Sequence, residues 1–197
     1  MAHADRRAQG LARVAVVVRA GAGPLWWLGV FAAGIGVLPP GITGRRIGVL
    51  AGAALFIVAF AVVALARRKR YVALADGAAR AGKHDVLQDR AVTTRNWRRG
   101  HRWWLVLAFL AALGGAFAVP AAGGMLLAGC GAGLRLKAAW LGRREQTEEA
   151  LLWVRVDWLS GGGGRPAGPA VKAYRTTGVA AGDAAPGGAR RRTGAPV

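Results

Sequence analysis

The chain has 197 residues, with 28 Lys and Arg against 9 Asp and Glu, a formal net charge of +19 and 54% hydrophobic residues. A soluble basic nucleic-acid binder is normally poor in apolar residues and an apolar globule is rarely this charged, so the composition excludes both unless charge and apolarity are segregated along the chain. The single Cys excludes an intramolecular disulfide framework.

Residues 1–21 read as a basic interfacial segment in which Arg6, Arg7 and Arg13 alternate with Leu11, Val14 and Val18. The apolar stretch Val14–Val18 is closed by Arg19 and is too short for a cleaved signal, so the first long apolar run is expected to act as an uncleaved anchor. Three runs carry no Asp, Glu, Lys or Arg: Ala20–Gly44, Ile47–Ala66 and Trp103–Leu134. A hydrocarbon core of roughly 30 Å takes about 20 helical residues, which these runs match or exceed. Residues 22–66 therefore predict a transmembrane hairpin, its first helix bounded by Pro24 and Pro39-Pro40 and its second stopped by Arg67-Arg68-Lys69-Arg70.

Residues 67–102 form a basic loop. A helical continuation is expected over Tyr71–Ala81, a short helix over Asp85–Ala91, and a dense basic patch over Arg95–Arg102. The third uncharged run would be about 48 Å as one helix, too long for one crossing. The turn residues Val119–Gly124 split it into a second hairpin, residues 103–142. Arg135 and Lys137 interrupt its second helix. They either snorkel to headgroups or act as functional intramembrane charges, and at i, i+2 they cannot share a helix face. Residues 143–160 carry a strand-like alternation (Val154, Val156, Trp158) and a helix-like spacing (Leu151, Leu152, Val156), and are read as an interfacial helix. Residues 161–197 are rich in Gly, Ala and Pro, end near Arg190-Arg191-Arg192, and are expected to be a disordered basic tail.

The fold class expected is thus all-α: an integral membrane protein with four transmembrane helices as two hairpins, with three spans as the alternative. With both termini in the cytoplasm, every Lys and Arg except Arg45 and Arg46 lies inside, which places the chain in the cytoplasmic membrane. Trp26-Trp27, Trp103-Trp104 and Trp140 fall at the expected interface. Gly44, Gly48 and Gly52, and Gly129 and Gly133, recur every fourth residue and predict close helix packing, inside the bundle or at a homo-oligomer seam. Trp-Trp-Leu recurs at Trp26 and Trp103, by internal duplication or by chance.

No catalytic constellation is present in the sequence. His3, His84 and His101 are isolated, Cys130 is a lone thiol, and Asp85 and Asp89 lie among Arg80, Lys83 and Arg90. Ser160 has no evident base, and Gly161–Gly164 lacks the Lys-Ser/Thr of a phosphate loop. No enzyme activity, metal or cofactor is expected. The cationic residues Arg67, Arg68, Lys69, Arg70, Arg95, Arg98, Arg99 and Arg102, with Trp97 among them, suit a bilayer of anionic lipid or a polyanion such as DNA, with Trp97 available to stack on bases.

The Ala/Gly/Arg-rich composition, the hairpins headed by Trp26-Trp27 and Trp103-Trp104, and the Arg67–Arg70 and Arg95–Arg102 clusters resemble the small basic multi-span spread proteins encoded beside transfer genes on conjugative plasmids of mycelial actinomycetes. The resemblance covers the architecture and no diagnostic motif. It implies a non-enzymatic accessory that recruits DNA to the membrane during plasmid transfer or spread, with other membrane transfer proteins or a second copy as partners. The alternatives are a packing subunit of a membrane complex, or a small pore or transporter subunit whose basic loops serve only topology and lipid anchoring.

Overall fold

The computed structural model describes residues 10–39, 41–82, 85–161 and 165–190. His3, Arg6, Arg7, Pro40, Lys83, His84, Arg191 and Arg192 lie outside the described residues. In chain order the elements are β1 (Gly10–Arg13), α1 (Val14–Gly36), α2 (Arg45–Leu65), α3 (Arg68–Asp76), β2 (Ala79–Arg80), β3 (Val86–Leu87), α4 (Arg90–Gly115), α5 (Ala122–Thr147), β4 (Ala150–Arg155), α6 (Val156–Gly161), β5 (Arg175–Gly178) and a 3-10 turn, Pro186–Gly188. They fall into two compact units. Unit 1 comprises residues 1–18, 67–96 and 138–197; unit 2 comprises residues 19–66 and 97–137.

Unit 1 overturns the all-α expectation. It holds a five-stranded mixed sheet in the order β2-β5-β4-β1-β3. β4 is antiparallel to both its neighbours, with Ala12 opposite Val154 and Leu152 opposite Thr176. β1–β3 and β2–β5 are parallel pairs. Because β4 is central, its residues Leu151–Val154 are buried on both faces. A strand of that kind reads as a continuous apolar run instead of an alternating one, which is why its sequence resembles that of a helix. The partners of β4 come from distant parts of the chain, so no local periodicity announces them. The two edge strands are two residues each, which leaves little unpaired edge.

Leu11, Leu151 and Trp153 form the sheet's apolar centre, with Ala81, Leu87 and Val179 against it. Residues 165–190, expected to be disordered, are packed into this unit. Tyr174, Val171, Ala167 and Ala184 are buried, and the Tyr174 hydroxyl donates to the Pro166 carbonyl at 2.8 Å. Glycine permits the closest approach: a Cβ on Gly188 would lie 2.8 Å from the Val16 nitrogen, and one on Gly142 would lie 2.6 Å from Gly187.

Unit 2 is helical and is organised around α5. A Cβ on Gly29 of α1 would lie 2.3 Å from the backbone of Ala128, and one on Gly124 would lie 2.1 Å from that of Ala33. A Cβ on Gly129 would meet the Phe56 carbonyl of α2 at 2.5 Å, and one on Gly123 would meet Ala112 of α4 at 2.7 Å. Small residues on α5 thus let three helices approach it at backbone distance. The turns at the far ends of the helices are joined, with the Ile42 N–H donating to the Phe117 carbonyl at 3.1 Å and the Ala121 N–H to the Gly36 carbonyl at 3.1 Å.

The four-span count is also corrected. Among the described residues two helical stretches are long and apolar enough to cross a membrane, Val14–Gly36 and Arg45–Asp76, with mean hydropathies of 1.5 and 2.8. α4 and α5 fail because each is part charged. α4 begins at Arg90 and carries Arg95, Arg98, Arg99 and Arg102, while α5 carries Arg135, Lys137, Arg143, Arg144 and Glu145. Their uncharged parts, 103–115 and 122–134, each reach about 20 Å, short of a hydrocarbon core of roughly 30 Å.

Candidate polyanion and lipid surfaces

The exposed large hydrophobic side chains are segregated. Among the described residues all but Val86 and Val92 belong to unit 2, including Phe31, Ile35, Ile57, Val58 and Val62. Only 11% of the most apolar part of the α2 stretch is buried, against 50% for α1. Charge is segregated as well. All nine acidic residues of the chain fall in unit 1, while unit 2 carries Arg19, Arg45, Arg46, Arg98, Arg99, Arg102, Arg135 and Lys137 with no carboxylate among them.

The two charges that interrupt the fourth expected span have separate roles. Lys137 is buried, and its Nζ donates to the Ala66 carbonyl at 2.8 Å, beyond the last turn of α2. A cation there also complements the negative end of the helix dipole. It is not directed outward as a snorkelling residue would be. Arg135 is exposed, with its guanidinium 5.3 Å from the Trp26 ring. The opposed faces expected from the i, i+2 spacing are therefore present.

The basic clusters are divided by the fold. In Arg67–Arg70, Arg67 adopts a left-handed conformation (φ 59°) between α2 and α3 and donates from Nη1 to the Ala167 carbonyl at 3.0 Å. Arg70 donates to the carbonyls of Gly168 at 2.9 Å and Val171 at 3.3 Å. Arg68 stacks over Trp140 at 5.3 Å, and Lys69 is exposed. Three members of this cluster therefore secure the chain around residues 167–171 and Trp140.

In the second cluster, Arg98, Arg99 and Arg102 are exposed on α4, and their spacing of i, i+1, i+4 puts them on one side of the helix. Arg95, on the unit 1 portion of α4, is exposed too. Trp97 is not presented for stacking on a base. It is half-buried, its ring lies parallel to His101 at a centroid distance of 4.4 Å, and a Cβ on Gly21 of α1 would meet it at 2.8 Å. The five glycines expected to pack helices meet different surroundings, Gly48 facing the turn before α5 and Gly52, Gly129 and Gly133 facing side chains or backbone of a neighbouring helix. A Cβ on Gly48 would meet Pro120 at 2.6 Å, one on Gly52 Met125 at 3.2 Å, and one on Gly133 the Phe60 carbonyl at 2.8 Å. Gly44 instead has open space and a φ of 78°, and precedes α2.

Sequence reasoning missed the ionic centre of unit 1. Arg13 and Glu145 are 2% and 1% exposed and pair at 3.0 Å. Glu145 also accepts the N–H groups of Leu152 at 3.3 Å and Gly187 at 2.9 Å, and Arg13 donates to the Ala184 carbonyl. An arginine set inside the apolar run Leu11–Val18 is the only sequence signal for it. Asp183 accepts the Arg90 N–H at 2.9 Å and so caps α4 from a distant segment. Tyr71 and Tyr174 are both buried in this unit. Burial pushes the Tyr71 hydroxyl up from 10.0 to about 12, moderated by Arg67, and raises Tyr174 further. Among the described residues no three His, Cys, Asp or Glu side chains group as a metal site.

These features define a two-unit protein, a small mixed α/β unit and an apolar helical unit. Of the known protein families, curated proteins and solved structures compared with the chain, none matches it.

Proposed function

We infer that the chain is a non-enzymatic, membrane-anchored adaptor. Unit 2 inserts into the cytoplasmic membrane with α1 and α2 as its crossing helices, and unit 1 is an aqueous module that engages a polyanion, for which duplex DNA suits the charge. The observation that carries the reading is the concentration in unit 2 of the exposed large apolar side chains among the described residues, a surface that water would penalise at about 25 cal/mol per Å² and lipid would not. The positive-inside rule supports the cytoplasm for residues 10–18 and 67–82, since a hairpin of α1 and α2 leaves Arg45 and Arg46 on the opposite side. Exposed Arg80 and Arg175 lie on the paired strands β2 and β5 at one edge of the sheet, on its opposite faces, and exposed Lys172 precedes β5; these three cations rimming the edge are assigned to the polyanion.

Five of the nine acids are engaged in structural bonds, which supports an adaptor over a catalyst: Asp76 and Glu148 to Arg144, Asp157 to Arg155, Asp183 to α4, and Glu145 to Arg13. Gly52, Gly129 and Gly133 meet atoms of this same chain, which supports packing within the chain for these glycines. Holding DNA at a membrane fits transfer or spread of a plasmid.

The test has two arms. The expressed chain should resist carbonate extraction from membranes and float with phosphatidylcholine vesicles; recovery in the carbonate supernatant would refute the membrane reading. The detergent-purified chain should bind duplex DNA with an affinity that falls steeply with salt. In the triple variant R80A/K172A/R175A the log–log salt slope should become shallower by about 0.9 for each phosphate no longer neutralised. An unchanged slope would refute the assigned surface.

A further inference from the structure

We propose that Arg98, Arg99 and Arg102 of α4, with Trp103 following them, form a site for the headgroups of anionic phospholipids. The proposal rests on unit 2 being membrane-inserted and names the lipid class that this unit recognises. Its first support is the order of exposed side chains along one helix. The three arginines are exposed, Trp103 and Trp104 are 67% and 72% exposed, and exposed Val106, Leu107 and Leu110 come next. At 1.5 Å per residue, Arg102 and Leu110 are about 12 Å apart along the axis. Cation, indole and aliphatic side chains thus succeed one another over the depth that separates lipid phosphate from acyl chain.

The second support is electrostatic. No acidic residue exists in unit 2, so an anion from outside is the complement available to this side of α4 within that unit. The Arg102 guanidinium lies 5.4 Å from the Trp103 ring. The indole therefore holds the cation at the level of the aromatic belt while its remaining donors are open to a phosphate. DNA is the poorer occupant, because the one aromatic among the arginines, Trp97, is engaged with His101 and Gly21, and because the arginines run directly into apolar surface.

The experiment uses the full chain in nanodiscs of equimolar phosphatidylglycerol and phosphatidylcholine, with retained lipid identified by native mass spectrometry. Wild type should retain phosphatidylglycerol preferentially. The variant R98A/R99A/R102A should lose about a hundredfold of that preference, at roughly fivefold per cation near an anionic surface. R98K/R99K/R102K should keep most of it, which separates charge from folding. A triple-Ala variant that floats with phosphatidylcholine yet keeps the wild-type preference would overturn the proposal while leaving the membrane reading intact. Loss of preference in the Lys variant would overturn it too, as would a triple-Ala variant whose duplex DNA binding falls while its phosphatidylglycerol retention does not. Failure of wild type to float with any vesicle would overturn the membrane reading itself.

Discussion

The buried pair Arg13–Glu145 yields the sharpest stability prediction. In Glu145→Ala, Arg13 keeps the Ala184 carbonyl but loses its carboxylate partner, and the N–H groups of Leu152 and Gly187 lose their acceptor. Breaking a buried ion pair from one side costs about 3–5 kcal/mol, the orphaned N–H groups being part of that cost. A loss of about 4 kcal/mol is a thousandfold rise in the population of locally open unit 1. Arg13→Met should cost less, because Glu145 retains two backbone donors. The double variant R13M/E145A removes both charges from a site that excludes water, so it should fall short of the summed single losses by about 2 kcal/mol or more. Amide hydrogen exchange of Leu151–Val154 and of Gly187, in detergent, reads this directly and does not require the whole chain to unfold as one. Additive single losses, or unchanged exchange in β4 on Glu145→Ala, would refute the assignment of this pair as the centre of unit 1.

Alkaline titration gives a second prediction. The chain has two tyrosines, Tyr71 and Tyr174, both in unit 1, so near-ultraviolet tyrosinate absorbance reports that unit alone. Their folded pKa values are raised, Tyr71 to about 12, so each phenol is harder to ionise in the folded chain than in the unfolded one. The stability they contribute is complete below the ordinary value of 10.0, where both states hold the proton, and folding resists ionisation until pH passes the raised values. Unit 1 should therefore lose stability progressively as pH climbs from 10.0 toward and past 12, and ionisation centred at 10.0 in the folded protein would contradict their burial. Asp183→Ala should cost about 0.5–2 kcal/mol by uncapping α4 and should speed exchange at its first turn, whereas exchange confined to β5 would disprove the cap. Gly129→Ala should destabilise by about 1–3 kcal/mol, because its Cβ would meet the Phe56 carbonyl. Gly100→Ala, with open space inside α4, should stabilise by about 0.5–1 kcal/mol; thermal aggregation in detergent compares the two, and equal effects would reject α5 as the packing centre.

The helices were legible in the sequence and the sheet was not, for a physical reason. Uncharged runs act within one segment, so the helical character of α1 and α2 could be read locally, whereas the partners of the glycines spaced at i, i+4 could not: Gly48 faces Pro120 in the turn before α5. β4 could not be read locally either, since its identity depends on Ala12 and Thr176, which lie on opposite sides of it in the chain. The packed segment 165–190 was hidden because its low apolar content is compensated by fit: Gly187 and Gly188 take positive φ, a Cβ on Gly188 would lie 2.8 Å from the Val16 nitrogen, and Tyr174 is its largest fully buried side chain. At the candidate surfaces, charge was visible but its employment was not. Arg67 and Arg70 look like their neighbour Lys69 in sequence, yet they hold backbone carbonyls. Arg98, Arg99 and Arg102 share a side of α4, while Trp97 beside them faces inward.

The discontinuity of unit 1 also sets a timetable for biosynthesis. β1 emerges with residue 13, but its antiparallel partner β4 is complete only at residue 155, and Gly187 later still. At roughly 5–20 residues per second, β1 waits about 7–30 s on the translating ribosome before it can pair with β4. On the proposed membrane reading, the apolar α1 and α2 would be open to insertion during that interval, and anchoring would precede closure of the sheet. A chain stalled before β5 would leave the β4 edge that β5 covers unpaired, an open strand edge prone to adhesion.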